Sequence, residues 1–143
     1  MAFRKTIGFI GGGNMAEALV GGIIRAGILN PSDIIISEPV EERRDHLQST
    51  YNVRVTSDNT QPAAESGTVF LAVKPLVLPD VTEGILRYMV PDRLVISIAA
   101  GKSLSFLESK LGSAAVIRSM PNTPALIGCG ATLSHRVIMS NRR

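Results

Sequence analysis

Three glycines in a row, Gly11–Gly13, separate the apolar run Ile7–Ile10 from a stretch with helical spacing that begins at Ala16. Glycine inside regular structure costs roughly 0.5–1 kcal/mol relative to alanine, so something must offset a run of them. Written out, Gly11-Gly12-Gly13-Asn14-Met15-Ala16 fits G-x-G-x-x-A between a strand and a helix, the context that gives this pattern meaning. Gly11 permits a tight turn, and Gly13, lacking a side chain, admits a pyrophosphate to the backbone. Ala16 lets the helix lie close to the strand. The free N–H groups and partial positive charge of the helix amino terminus complete an anion site. A bound dinucleotide would offset the glycines; a purely structural turn is the competing reading. No Lys-Ser/Thr pair follows, so the segment is not a P-loop.

The rest of the chain alternates in the manner such a turn requires. Thr6–Ile10 reads as a first strand. Ala16, Leu19, Val20, Ile23 and Ile24 form one helical stripe, stopped by Gly27 and Pro31. Ile34–Ser37 reads as a second strand buried on both faces, Pro39–Ser49 as a charged helix and Val53–Val55 as a weak third strand. Ser57 or Asp58 can cap a short helix through Glu65, with Pro62 in its first turn. Thr68–Val73 is a fourth strand ended by Pro75, Pro79–Met89 a helix, and Leu94–Ala99 a fifth strand. Ser103 caps a helix holding Phe106, Leu107 and Leu111. Ala115–Met120 is a sixth strand, and a last apolar stretch is Ala131–Leu133. Crossovers this short imply parallel strands with helices on both faces. The expectation is an α/β fold: a doubly wound, mostly parallel, Rossmann-like sheet of order 3-2-1-4-5-6. Residues 1–133 form its single dinucleotide-binding domain, and 134–143 a divergent basic tail.

Charge and composition narrow the function classes. The net charge of +3 comes from Arg136, Arg142 and Arg143, since the residues up to Leu133 carry equal numbers of basic and acidic groups. A short basic tail does not make a nucleic-acid surface. Cys129 is the only cysteine, so no internal disulfide forms, which fits a reducing cytoplasm. His46 and His135 lack metal-like spacing. No secretory leader is visible, and no run approaches the roughly 20 apolar residues of a membrane span.

In a doubly wound sheet the ligand crosses the carboxyl ends of the strands at the switch point between strands one and four. The second strand ends in Ser37-Glu38-Pro39, where a carboxylate can accept from the 2′-hydroxyl of NAD(H) and repel the 2′-phosphate of NADP(H). Arg43 and Arg44 follow and could instead bind that phosphate; a solvated helix face is the plainer reading of both. Ala72, Val73, Lys74 and Pro75 lie at the switch point, as do Ala99, Ala100 and Gly101, and Met120–Ala125. These small or polar edges would let a flat nicotinamide lie against backbone. For Lys74 alone, an exposed surface lysine is an equal alternative.

Taken together, "GFIGGGNMAEAL", "FLAVKP", "SIAAG" and "RSMPNTPALIGCGAT" resemble pyrroline-5-carboxylate reductases, in order from about Ile7 to Thr132. The glycine motif is common to many dehydrogenases, whereas "AVKP" with "MPNTPA" at this spacing is far more specific. The resemblance implies an NAD(P)H-dependent oxidoreductase of proline biosynthesis, which transfers hydride to the C=N carbon of 1-pyrroline-5-carboxylate and yields L-proline. It implies that Ile10, Gly11, Gly12, Gly13, Asn14 and Met15 hold the pyrophosphate, that Ser37 and Glu38 meet the adenosine ribose, and that Asn59 approaches the adenosine side. Ala72–Pro75 and Ala99–Gly101 would line the dinucleotide, with Asn122, Thr123 and Pro124 near the nicotinamide. Glu38 departs from the small polar residue or arginine that the family often carries there for the NADPH phosphate.

The resemblance also implies a second, all-helical domain that makes the homo-oligomer and holds the substrate. This chain ends at Arg143, and Ser134–Arg143 no longer looks like the family. No residue stands out as a catalytic acid. The expectation is therefore cofactor binding without imine reduction by this chain alone, and a monomer or weak dimer. A non-catalytic NAD(P)-binding module or truncated inactive reductase is the alternative. A third candidate, a β-hydroxyacid dehydrogenase, shares the glycine motif but would not be expected to carry "AVKP" with "MPNTPA".

Overall fold

The structure, a computed structural model, describes residues 6–99, 103–121 and 132–136, with side chains up to Ser119. Six parallel strands form the body of one sheet: β1 (Ile7–Ile10), β2 (Ile34–Ser37), β3 (Arg54–Thr56), β4 (Thr68–Leu71), β5 (Leu94–Ser97) and β6 (Ala115–Pro121). A seventh strand, β7 (Thr132–Arg136), pairs antiparallel with β6 at the edge, giving the order β3-β2-β1-β4-β5-β6-β7. The expected order of the first six strands is the one observed. β7 runs across the point at which the sequence reading ended the domain.

The strands obey the logic of a covered sheet. All four residues of β2 are buried, because it lies inside the sheet with both faces covered. Alternate residues point to opposite faces. Phe9, Ile34 and Ile36 join Ala16 and Val20 of α1 (Asn14–Arg25) and Leu47 of α2 (Glu41–Tyr51) in one core. Phe9 also stacks on Phe70 of β4, ring centroids 4.6 Å apart. Ile10, Val69, Leu71 and Val95 turn the other way. They meet Ala63 of α3 (Thr60–Glu65), Val81 and Ile85 of α4 (Leu78–Ile85), and Leu107 of α5 (Leu104–Lys110) in a larger core.

Element ends differ from expectation where side chains intervene. The helix expected over Pro39–Ser49 starts at Glu41, because the Glu38 carboxylate accepts the Val40 N–H (2.9 Å) and holds the preceding residues as a turn. It runs on to Tyr51 and ends at Asn52, which takes the left-handed conformation (φ 60°). Strand β4 ends at Leu71 rather than Val73, since its neighbour β1 stops at Ile10. The helix expected over Pro79–Met89 tightens after Ile85 into a 3₁₀ turn, Leu86–Tyr88. The N-cap of α3 is Asn59 rather than Ser57 or Asp58; Asp58 precedes it, its Oδ1 accepting both the N–H (2.9 Å) and the hydroxyl (2.7 Å) of Thr60 in the first turn. Those two bonds lower the Asp58 pKa. Ser103 caps α5 by accepting the Phe106 N–H.

Candidate functional site

The site is built where β1 stops. Gly11 adopts φ 101°, a backbone that side chains rarely tolerate, and a Cβ there would be driven into the Ala72 carbonyl. Its N–H still donates to the Ser37 carbonyl (2.8 Å), so the turn leaves the sheet without wasting a bond. Gly13 differs: a Cβ added there would meet nothing within 4 Å. It is the N-cap of α1, so the helix opens beside free space with its first N–H groups at that end.

That space is a cleft of about 250 Å³ lined by Gly13, Asn14, Met15, Ala16, Ala72, Val73, Lys74, Ile98 and Ala99. The fold thus brings the glycine turn, the end of β4 and the end of β5 around one opening. Ile98 was not anticipated; it sits between β5 and Ala99 and carries no chemical signal that a sequence reading would register. Ile10 does not line the cleft, because its side chain is buried in the larger core. Pro75 opens a 3₁₀ turn, Pro75–Val77, just beyond Lys74. The expected site residues Ala100, Gly101, Asn122, Thr123 and Pro124 lie outside the described residues.

A second group lies at the end of β2. The Ser37 hydroxyl donates to Asn59 Oδ1 (2.7 Å), joining two residues expected at the adenosine side. Glu38 turns back to the glycines: its Oε1 accepts the Gly12 N–H (3.1 Å). Arg44 donates to the carbonyls of Glu38 (2.7 Å) and Pro39 (2.9 Å). Arg43 donates twice to the Gly12 carbonyl, from Nε (3.0 Å) and from Nη2 (2.8 Å). Neither arginine is the solvated helix face of the plainer reading; both hold backbone.

Behind the turn a polar brace ties α1 to α2. Glu17 Oε1 accepts from Arg43 (3.0 Å) and lies 2.9 Å from His46 Nε2, while Oε2 accepts from the Tyr51 hydroxyl (2.9 Å). Burial pushes the Glu17 carboxyl up, but the bonds from Tyr51, Arg43 and His46 outweigh it and leave its pKa lowered. Burial, and then donation to Glu17, raise that of Tyr51. Sequence reasoning missed this brace, because a glutamate in a first helical turn is unremarkable until α2 is placed beside it. Among the described residues no group of three or more His, Cys, Asp or Glu could hold a metal ion, and no helix is long and apolar enough to cross a membrane.

The family model described as NADP oxidoreductase coenzyme F420-dependent matches residues 6–101. The chain is 47% identical over 126 residues to a pyrroline-5-carboxylate reductase of Synechocystis, covering 88% of this chain and 47% of that protein. It is 38% identical over 130 residues to the Escherichia coli pyrroline-5-carboxylate reductase, covering 90% and 48% respectively. The chain thus spans about half the length of the curated relatives it matches. A solved pyrroline-5-carboxylate reductase of Coxiella burnetii superposes with a TM-score of 0.90 at 34% identity, over 97% of this chain and 52% of that one. A Plasmodium falciparum pyrroline carboxylate reductase solved with NADP bound superposes with a TM-score of 0.83 at 28% identity, over 99% and 52%.

Proposed function

The chain belongs to the NADP oxidoreductase, coenzyme F420-dependent family, and from that premise we propose that it is the nucleotide-binding half of a pyrroline-5-carboxylate reductase. The observation that carries the proposal is the glycine turn opening onto the cleft between α1 and the ends of β4 and β5. The residues present fit a dinucleotide. The positive φ of Gly11 aims the turn, and the empty Cβ position of Gly13 leaves room for phosphate against the N–H groups of α1. Ser37, Glu38 and Asn59 form the corner for the adenosine ribose. Ala72, Val73 and Ala99 provide a small-residue wall that orients the nicotinamide and excludes water, with Lys74 at its rim. On the resemblance, Ala100, Gly101 and Asn122–Pro124 complete that wall.

When bound, the reduced nicotinamide supplies a hydride for the C=N carbon of 1-pyrroline-5-carboxylate, giving L-proline; the protein binds, orients and shields. The setting proposed is the cytoplasm, the partner a small imine, and assembly into homo-oligomers a property of the longer reductases. Lys74 is the one ionisable side chain among the described residues that line the cleft. This favours the reading that the 143 residues bind nucleotide without turning the imine over.

Titrating the chain with NADPH and NADH, then adding the imine, tests both parts. Binding without oxidation is the expected result. Binding with oxidation makes the chain a reductase by itself. A folded chain that binds neither nucleotide overturns the proposal.

A further inference from the structure

We infer that Glu38 sets this site for the unphosphorylated nucleotide, NADH, in preference to NADPH, an inference that rests on the nucleotide reading above. The family is described by NADP, and the corner at the end of β2 departs from it.

Three observations carry the inference. First, the Glu38 carboxylate is fixed. Its Oε1 takes the Gly12 N–H (3.1 Å) and its Oε2 the Val40 N–H (2.9 Å), so two backbone donors on opposite sides hold it between the glycine turn and the start of α2. Second, it lies beside the Ser37–Asn59 pair at the carboxyl end of β2, where a carboxylate accepts from ribose hydroxyls and a 2′-phosphate would meet a like charge. Third, the two arginines beside this corner among the described residues, Arg43 and Arg44, are committed elsewhere. Arg43 spends two bonds on the Gly12 carbonyl and a third on Glu17. Arg44 spends two on the carbonyls of Glu38 and Pro39. To take a 2′-phosphate, either guanidinium would have to give up carbonyls of the loop it helps to shape.

The fixed geometry matters as much as the charge. A carboxylate on a free side chain could swing away from a phosphate at little cost. Here that movement breaks the bond that ties the loop after β2 to Gly12. Accommodating NADPH would therefore disturb the same glycine turn that receives the pyrophosphate. The preference is built into the turn and is more than a surface charge nearby.

The experiment is a fluorescence titration of the full 143-residue chain with NADH and with NADPH, at low and high ionic strength, repeated on Glu38→Ser, Glu38→Gln and Arg44→Ala. Circular dichroism verifies that each variant is folded. The wild-type chain is expected to bind NADH about tenfold more tightly than NADPH, the scale of one charged contact. The gap should narrow at high salt as the repulsion is screened. Glu38→Gln keeps the side-chain length, removes the charge and retains one of the two N–H bonds, its amide nitrogen being unable to accept the other. It should close most of the gap, and Glu38→Ser should close or invert it. Arg44→Ala frees the Glu38 and Pro39 carbonyls and should weaken binding of both nucleotides together, with no selective loss of NADPH, because Arg44 serves the loop and not a phosphate. Equal or tighter binding of NADPH by the wild type overturns the inference, as does a ratio insensitive to Glu38→Gln or an NADH preference that widens in Arg44→Ala through a selective loss of NADPH affinity. Binding of neither nucleotide by the folded wild type overturns the site reading itself, an outcome distinct from a reversed preference.

Discussion

On one face of the sheet α3, α4 and α5 close over a broad aliphatic layer, from Ile10, Val69 and Leu71 to Ile85, Leu107 and Val116. On the other face α1 and α2 cover a smaller one around Phe9, Val20, Ile34 and Leu47. Among the described residues the smaller face carries most of the directional side-chain bonds between elements: Glu17 to Arg43, His46 and Tyr51, Arg43 to Gly12, and Glu38 to Gly12, against Arg54 to Glu65 and Arg93 to the Ala64 carbonyl on the α3 side. Apolar burial is roughly proportional to area and has no direction. It stabilises a layer, but it does not fix where one carbonyl points. A turn meant to receive a charged ligand needs fixed donors and open space, so its face gives up burial for bonds with geometry.

The largest effect belongs to the larger face. Leu71 is fully buried there, so Leu71→Ala should lower unfolding free energy by about 2–5 kcal/mol. Chemical denaturation measures this, and a loss below about 1 kcal/mol would remove the distinction between the faces. Nucleotide affinity of the fraction that stays folded should hardly change.

The two glycines sharpen the comparison within the turn itself. Gly11→Ala places a Cβ at φ 101° against the Ala72 carbonyl, and should cost about 1–3 kcal/mol of stability. Gly13→Ala meets open space, so stability should stay within about 0.5 kcal/mol. Yet it should weaken NADH binding by about tenfold or more, because the added methyl fills the room left for phosphate. Wild-type affinity in Gly13→Ala would mean that the ligand lies elsewhere.

Arg43 comes next. Removing it in Arg43→Ala leaves the carbonyl of the buried Gly12 and the Glu17 carboxylate without their shared donor, at a cost of about 1–2 kcal/mol. It should also weaken nucleotide binding through the displaced turn. Arg43→Lys should restore only part of either, since an ammonium cannot reproduce the guanidinium's paired donors. Full rescue by lysine, measured by melting and titration together, would reduce Arg43 to a simple charge.

How much of this could be read beforehand follows the same division. The β-branched run Ile34–Ser37 declared a strand covered on both faces, and the alternation of runs gave the order of six strands, because burial leaves a periodic trace in sequence. The Gly11–Ala16 turn was legible because φ and close approach restrict residue type. The brace was not: Glu17, Arg43, His46 and Tyr51 are ordinary surface residues until tertiary structure brings α1 and α2 together. For Arg43 and Arg44 the sequence offered phosphate ligands or solvated charges, and the structure shows carbonyl-binding struts. Strand β7 shows in the sequence only as an apolar stretch, because its return is antiparallel and falls outside the parallel alternation that reveals the other six.

The smallest expected effect tests whether the brace contributes position more than stability. In the folded chain the Glu17 carboxyl titrates below its ordinary value, so it is held ionised by Tyr51, Arg43 and His46. Its contribution is present in full above the unfolded carboxylate value and is lost as pH falls through the lower, folded one. The stability difference between wild type and Glu17→Gln should therefore be at most about 1 kcal/mol near neutral pH, and should shrink as the solution is acidified through the carboxylate range. Tyr51→Phe removes one donor to the carboxylate and brings its folded pKa closer to the unfolded value. The acid limb of its stability curve should therefore begin in the same range but be smaller and end at a higher pH than that of the wild type. Denaturation at a series of pH values measures both. If the Glu17→Gln difference stays constant with pH, the carboxylate acts by shape alone. If it exceeds the loss in Leu71→Ala, the α1–α2 face carries the fold as well as the site, and the contrast between the two faces fails.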